Sequence, residues 1–203
     1  MTAPTIPASM LLENGARMHR PEFHARYAAS DVQRAELIEG VVYVSSPLRA
    51  QFHGEPENTL GGWLAVYRSK HPGVRAAHNS SVFLDLDNEP QPDLSLWRDG
   101  GQARLEDGYI IGAPDLIIEI AASTASIDLH DKMHAYRRNG VREYIVWRPR
   151  DGALDWFALE NGDYVPLQAD SEGIIESPAF PGLRLDVAKL LAGDLAGLLA
   201  EVP

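Results

Sequence analysis

The spacing of apolar positions changes along the chain, and each change predicts an element. "AELIEGVVYVSSP" (35–47) is rich in β-branched residues, breaks at Gly40 and ends in Ser-Pro, so it reads as two strands or one bent strand. From about Glu57 to Lys70, Leu60, Leu64 and Tyr67 recur at helical spacing with Trp63 beside them, and "HPG" (71–73) stops the helix. "SVFLDLDNEPQPDLSLW" (81–97) alternates Val82, Leu84 and Leu86, turns at "DNEP" and returns, which predicts a hairpin. "VREYIVWRP" (141–149) is a strand, and "LDWFALENGDYVPL" (154–167) a hairpin around Asn161-Gly162. The end, "PGLRLDVAKLLAGDLAGLLA" (181–200), finishes on an apolar helix broken at Gly193, while residues 1 to about 20 read as a poorly ordered tail leading into a short helix.

The stretch "DLIIEIAAS" (115–123) breaks its own pattern. Three apolar residues precede Glu119 and three follow it, the run and length of a fully buried strand. A carboxylate there loses its hydration, which is costly unless a cation or hydrogen-bond donors meet it. Asp128 or Ser126 can cap a following helix that runs to Asn139, with Gly140 in the left-handed position after it. Strand, helix and strand over 115–149, with hairpins before and after, predict an α/β (α+β) fold. Its sheet is mixed, helices pack on it, and a single domain spans 21–203.

The 203 residues suit one such domain. With no cysteine, any chemistry falls to carboxylates, His, Lys or hydroxyls. The start lacks the basic and long apolar regions of a signal peptide, and no stretch reaches the ~18 apolar residues of a membrane span. A soluble, cytoplasmic protein with no membrane partner is therefore expected. Eighteen Lys and Arg face 29 Asp and Glu, a formal charge of -11, which argues against non-specific nucleic-acid binding. Lys132, Arg137, Arg138, Arg142, Arg148 and Arg150 nevertheless make a local basic stretch, either a solvated surface or a phosphate-facing patch.

Asp93 and Asp115 both follow proline and precede Glu119. Asp115 shares a strand with Glu119 four residues away, roughly 13 Å at ~3.3 Å per residue, too far to share a small cation. Asp93 lies on another strand and can sit beside Glu119. Two carboxylates converging in an apolar setting suit Mg²⁺ or Mn²⁺; otherwise one of them is protonated. On the next helix Leu129, Met133, Ala135 and Tyr136 make an apolar face, and Lys132 borders it, able either to reach the carboxylates or to extend to solvent. Glu119 can equally be a structural ion-pair partner. "DLDNE" (85–89) lacks the features of a calcium loop and reads as a solvated turn.

Pro-Asp, then Asp, Glu and Lys on a strand-helix unit, resembles the PD-(D/E)XK nuclease superfamily, and the ordered set of motifs resembles its Uma-two family of restriction-type endonucleases. These pieces are "AELIEG" (35–40), "SSP" (45–47) with His53, "QPDLSL" (91–96), "GAPDLIIEIAAS" (112–123), Asp128, Lys132, Tyr136, "GVREYIV" (140–146) and "PGLRLDV" (181–187). The resemblance implies a restriction-endonuclease-like mixed sheet flanked by helices and a metal-dependent endonuclease that hydrolyses phosphodiester bonds of DNA. It implies that Asp93, Glu119 and the Ile120 carbonyl ligate Mg²⁺ or Mn²⁺. It further implies that Lys132, carried on the helix because position 121 is alanine, orients or deprotonates the attacking water. Glu36 and His53 match further polar positions of the family; read alone, they are a surface acid at a strand edge and a residue at a helix start.

Two departures stand out. The link after Glu119, "ASTAS" (122–126), is one residue short of the family's usual Ser-Pro-Ser-Thr and lacks its proline, and Arg148-Pro149 stands where the family tends to have Asp-Pro. Three functions are open at this stage: a Mg²⁺-dependent nuclease acting as a homodimer, a nuclease-like binding or assembly module without activity, and a hydrolase of small phosphoesters.

Overall fold

The computed structural model describes residues 12–45, 50–121 and 128–202. The predicted tail up to residue 11, the Ser46-Pro47 turn, Ser126 and the "ASTAS" link lie outside the described residues.

Helix α1 (Arg20–Ala28) leads into a hairpin of β1 (Ala35–Ile38) and β2 (Val41–Val44). Its two turn residues, Glu39 and Gly40, both have positive φ, 50° and 73°, the backbone a two-residue hairpin turn requires. Helix α2 (Glu55–Lys70) follows a π-helical turn (Ala50–Gly54). Its Leu60, Trp63, Leu64 and Tyr67 are buried, as their spacing predicts.

The central sheet runs β11-β10-β9-β8-β5-β3, formed by β3 (Val74–His78), β5 (Leu94–Arg98), β8 (Leu116–Ile120), β9 (Glu143–Arg148), β10 (Ala153–Glu160) and β11 (Asp163–Pro166). Only β8 and β9 pair in parallel, joined through a π-helical turn (Asp128–Lys132) and α3 (Met133–Arg138). The other pairs are antiparallel, so the sheet is mixed. Alternation along β8 divides its side chains between two cores. Leu116 and Ile118 join α2 and the C-terminal segment on one face. Ile117 and Ala121 join Tyr136 of α3, Tyr144 and Val146 on the other. Glu119 shares the parity of Ile117 and therefore lies beneath α3.

The hairpin predicted over 81–97 does not form. Its first arm is short, β4 (Val82–Phe83), and pairs in parallel with β7 (Tyr109–Ile111), which pairs with β6 (Arg104–Glu106) in a separate sheet. Its second arm is β5, in the central sheet. Pro90 and Pro92 bring no N–H to a ladder, and the intervening chain instead crosses β1, where Glu89 and Leu37 exchange backbone hydrogen bonds of 2.8 and 3.1 Å. The same crossing corrects the reading of "DLDNE" as a solvated turn. Asn88 and Glu89 are fully buried. Asn88 accepts from the Glu39 N–H at 2.9 Å and donates to Asp85, and that partnership holds the crossing against the hairpin.

Strands β12 (Ile174–Glu176) and β13 (Arg184–Asp186) form a small ribbon, and α4 (Val187–Ala192) and α5 (Leu195–Ala200) follow. Gly193, at φ 73°, separates these helices where the sequence predicts a break. No described helix is long and apolar enough to cross a membrane.

Candidate active site

Glu119 projects from the central strand of the sheet and is 2% exposed. Its Oε1 accepts from Lys132 Nζ at 3.0 Å and from the Tyr136 hydroxyl at 2.7 Å. Lys132 and Tyr136 are four residues apart, so the helical segment after β8 presents both to the same face. Lys132 does not extend to solvent: it is 4% exposed, and its ammonium also lies 2.9 Å from Glu36 Oε1 and 3.7 Å from Asp128 Oδ1. Glu36, in β1, is buried rather than a surface acid, and the same Oε1 accepts from the Gln91 N–H at 2.7 Å.

Asp93 reaches this group through sheet register. Leu94 pairs with Ile118, which puts Asp93 beside the end of β8, and Asp93 Oδ2 accepts from the Ile120 N–H at 2.7 Å. Asp93 Oδ1 takes Arg34 at 2.8 Å and His53 Nε2 at 3.1 Å. His53 comes from the π-helical turn before α2 and is buried. Ala121, the next residue on the strand, donates its N–H to Trp147 of β9, so Ile120 turns its N–H and carbonyl to the opposite edge, where Asp93 sits. Asp93, Glu119, Lys132, Glu36, His53 and Ile120 therefore come together in one cluster.

Asp115 stands apart at the start of β8, where its carboxylate receives the Arg98 N–H at 3.1 Å and the Arg98 guanidinium at 3.3 Å.

The cluster is unevenly charged. Four carboxyl groups (Glu36, Asp93, Glu119, Asp128) surround two permanent cations, Lys132 and Arg34, so full ionisation leaves two negative charges. Burial raises the Asp93 carboxyl, but the His53 hydrogen bond and the charges of Arg34, His53 and Lys132 outweigh it and bring it down to about 2. Burial pushes Glu119 up to about 8, with Lys132 opposing and Asp93, Asp128 and Glu36 adding to the rise. Burial alone would lower the Lys132 ammonium, yet Glu119, Glu36 and Asp128 hold it well above its ordinary value. Asp93 is thus firmly ionised and Lys132 firmly charged, and the proton the cluster retains resides on the Glu119 side.

The donor chemistry fits a hard divalent cation: carboxylate oxygens of Asp93 and Glu119 and the Ile120 carbonyl are the ligands Mg²⁺ and Mn²⁺ take, and the two negative charges that full ionisation would leave match their charge. As the side chains stand, no three His, Asp or Glu groups among the described residues make a metal-holding set. Lys132, Arg34 and His53 occupy oxygens that such an ion would use.

The basic stretch has intramolecular partners. Arg137 pairs with Asp163, Arg138 with Glu39 and Asp85, Arg142 with Asp115 and Arg148 with Asp155, while Arg150 lies 4.6 Å from the centre of the Phe52 ring. The sequence reading missed one participant and the role of another. Arg34 precedes β1 without any spacing that ties it to Asp93, and Tyr136 reads as an apolar-face residue until its hydroxyl is seen on Glu119.

Comparison with known proteins agrees with this architecture. A family profile, Uma2, described as "Putative restriction endonuclease", matches residues 20–188, from the start of α1 to the first residues of α4. A crystal structure from Anabaena variabilis, described as a "putative nuclease belonging to DUF820", superimposes with a TM-score of 0.67 at 17% identity, covering 83% of this chain and 96% of that chain. No curated protein matches the chain. The profile covers most of the sequence and every cluster residue described above, and the chain therefore belongs to the Uma2 family of restriction-endonuclease-type proteins.

Proposed function

We propose that the chain is a divalent-metal-dependent endonuclease that hydrolyses phosphodiester bonds of DNA, working as a homodimer so that two sites address two strands. The observation that carries this reading is the delivery of Lys132 from the following helix onto Glu119, next to an ionised Asp93, in a pocket where carboxyl groups outnumber the permanent cations. Asp93, Glu119 and the Ile120 carbonyl would hold Mg²⁺ or Mn²⁺. Such an ion supplies Lewis-acid polarisation of a phosphoryl oxygen and a bound water of lowered pKa.

The chain's own groups define the remaining roles. Lys132 is held charged by three carboxylates, so it suits orienting water and offsetting charge that develops on phosphate, rather than taking a proton. Tyr136 and Glu36 fix the ammonium and Glu119 in place. His53 and Arg34 keep Asp93 ionised.

The occupied carboxylate oxygens favour a second reading, a nuclease-like binding module in which Lys132 and Arg34 are permanent counter-ions. Calorimetric titration of Mn²⁺ into the parent protein, Asp93→Ala and Glu119→Ala, with folding checked by circular dichroism, separates the two. The nuclease reading expects binding in the parent only, and Mg²⁺-dependent nicking of supercoiled plasmid by the parent only. Cutting retained by either folded variant overturns it, and absence of metal binding in the parent, both alone and with phosphate present, favours the module.

A further inference from the structure

Two buried polar atoms beside Asp93 meet no hydrogen-bond partner among the described residues, Arg34 Nε and His53 Nδ1. Both belong to side chains that touch Asp93 Oδ1. A guanidinium carries five N–H donors in a planar fork. Arg34 directs one terminal nitrogen to the Gln91 carbonyl at 2.7 Å and to Asp93 at 2.8 Å, and its Nε–H is left over. The side chain is 15% exposed while Nε itself is buried, so the guanidinium has to turn to present its fork to a ligand. The other basic groups nearby are less available to a ground-state phosphate oxygen. Lys132 is enclosed by three carboxylates, and the arginines between 137 and 150 have partners of their own.

We propose that Arg34 is the phosphate-recognising residue of the site, resting on Asp93 until a divalent cation takes its place and then turning its fork to a non-bridging oxygen of the phosphodiester. The inference rests on the nuclease reading for the identity of the anion. Its logic is electrostatic. Asp93 Oδ1 cannot serve a guanidinium and a divalent ion equally, and a fork displaced from one carboxylate finds its best geometric match in a phosphate. Arg34 thereby couples the two ligands. Without phosphate it competes with the metal for Asp93, and with phosphate present it has somewhere else to go.

Two measurements test this, one of them independent of metal. In chelator-treated protein, inorganic phosphate is the probe. Asp93→Asn keeps an acceptor for the Ile120 N–H but releases Arg34, and is expected to bind phosphate about tenfold more tightly than the parent, the scale of one charge-assisted hydrogen bond. The gain should vanish in Asp93→Asn/Arg34→Gln and be only partly kept in Asp93→Asn/Arg34→Lys, which retains the charge without the fork. Equal phosphate binding by the Asp93→Asn protein with and without Arg34 overturns the proposal.

In the second measurement, Mn²⁺ is titrated by calorimetry with and without phosphate. Arg34→Gln is expected to bind Mn²⁺ more tightly than the parent when phosphate is absent and to lose the enhancement that phosphate gives the parent. Weaker Mn²⁺ binding, as is expected of Asp93→Asn, would make Arg34 a mere support for Asp93. Arg34→Lys serves the same comparison if Arg34→Gln does not fold. A parent that binds no Mn²⁺ either with or without phosphate, while the phosphate series behaves as expected, removes the nuclease reading and leaves the anion site. A failed phosphate series with intact metal binding and plasmid nicking removes Arg34 alone.

Discussion

Two buried glutamates on neighbouring strands, Glu119 of β8 and Glu143 of β9, resolve the same physical difficulty in opposite ways. Glu143 is 1% exposed, and neutral donors on fixed structure satisfy it: the Ser177 hydroxyl at 2.7 Å, the Ala179 N–H at 2.5 Å and the Trp156 indole N–H at 2.9 Å. Burial raises its pKa, and those hydrogen bonds pull it back. Glu119 is equally buried but is met by a lysine and a tyrosine, with three further carboxyl groups around that lysine or on the adjacent strand edge. Neutral fixed donors make a carboxylate part of the scaffold. Crowding with like charges costs stability, a cost that the proposed divalent cation would offset.

The widest separation between the two should appear in the pH dependence of stability. The Glu119 carboxyl is raised to about 8 in the folded protein against ~4.3 in an unfolded chain. Below the lower value both states are protonated. Between the two values the folded state holds a proton that the unfolded state has lost, so stability falls as pH rises, approaching about 1.4 kcal/mol per pH unit for one full proton. Urea denaturation across this range should show the fall in the parent and a flatter profile in Glu119→Gln, which should be the more stable protein at alkaline pH. Glu143→Gln should keep the Glu119 slope. An unchanged slope in Glu119→Gln would place the retained proton elsewhere.

Next in size is the loss of the cation. Lys132→Met leaves Glu36, Glu119 and Asp128 buried without their shared ammonium, a change expected to cost about 3–5 kcal/mol at neutral pH. Adding Glu36→Gln to Lys132→Met should recover part of that loss, because one of the carboxyl groups left without the ammonium is removed, and the double-mutant cycle measures how much. Glu143 makes no ion pair among the described residues, so the same design applied there, Ser177→Ala with Glu143→Gln, should show only the coupling of a hydrogen bond from a neutral donor. Equal coupling in both regions would erase the distinction between scaffold and site.

Much of this cluster was legible in the sequence because its parts obey short-range rules. The apolar run around Glu119 predicted a buried strand, four-residue spacing put Lys132 and Tyr136 on one helical face, and Asn161-Gly162 predicted the β10–β11 turn that the positive φ values of both residues confirm. What escaped depends on long-range register. Nothing local says that residues 84–92 cross β1 instead of forming a hairpin, since Asn88 finds Glu39 across 49 positions. The same holds for Arg34 on Asp93, 59 positions away. The basic run from Lys132 to Arg150 looked like a candidate phosphate surface because a sequence shows charges but not the carboxylates that fold against them.

The smallest difference is the most specific. Tyr136 donates to Glu119 Oε1 at 2.7 Å and packs edge-on against Tyr144 with ring centres 5.1 Å apart. Tyr136→Phe removes the hydroxyl and keeps the ring contact, so the measured change isolates one hydrogen bond. Its size depends on the state of its acceptor. A bond to a neutral carboxyl contributes about 1 kcal/mol, and a bond to a carboxylate about 1.5–3. Because the hydroxyl's own pKa lies well above its ordinary value, Tyr136 remains a donor throughout. The cost of Tyr136→Phe should therefore grow as pH rises through the Glu119 titration, whereas Ser177→Ala, on the Glu143 side, should show no growth over the same alkaline range. A cost for Tyr136→Phe that stays constant with pH would mean that Lys132 keeps Glu119 ionised throughout, and that the folded protein carries both excess negative charges before any ligand arrives.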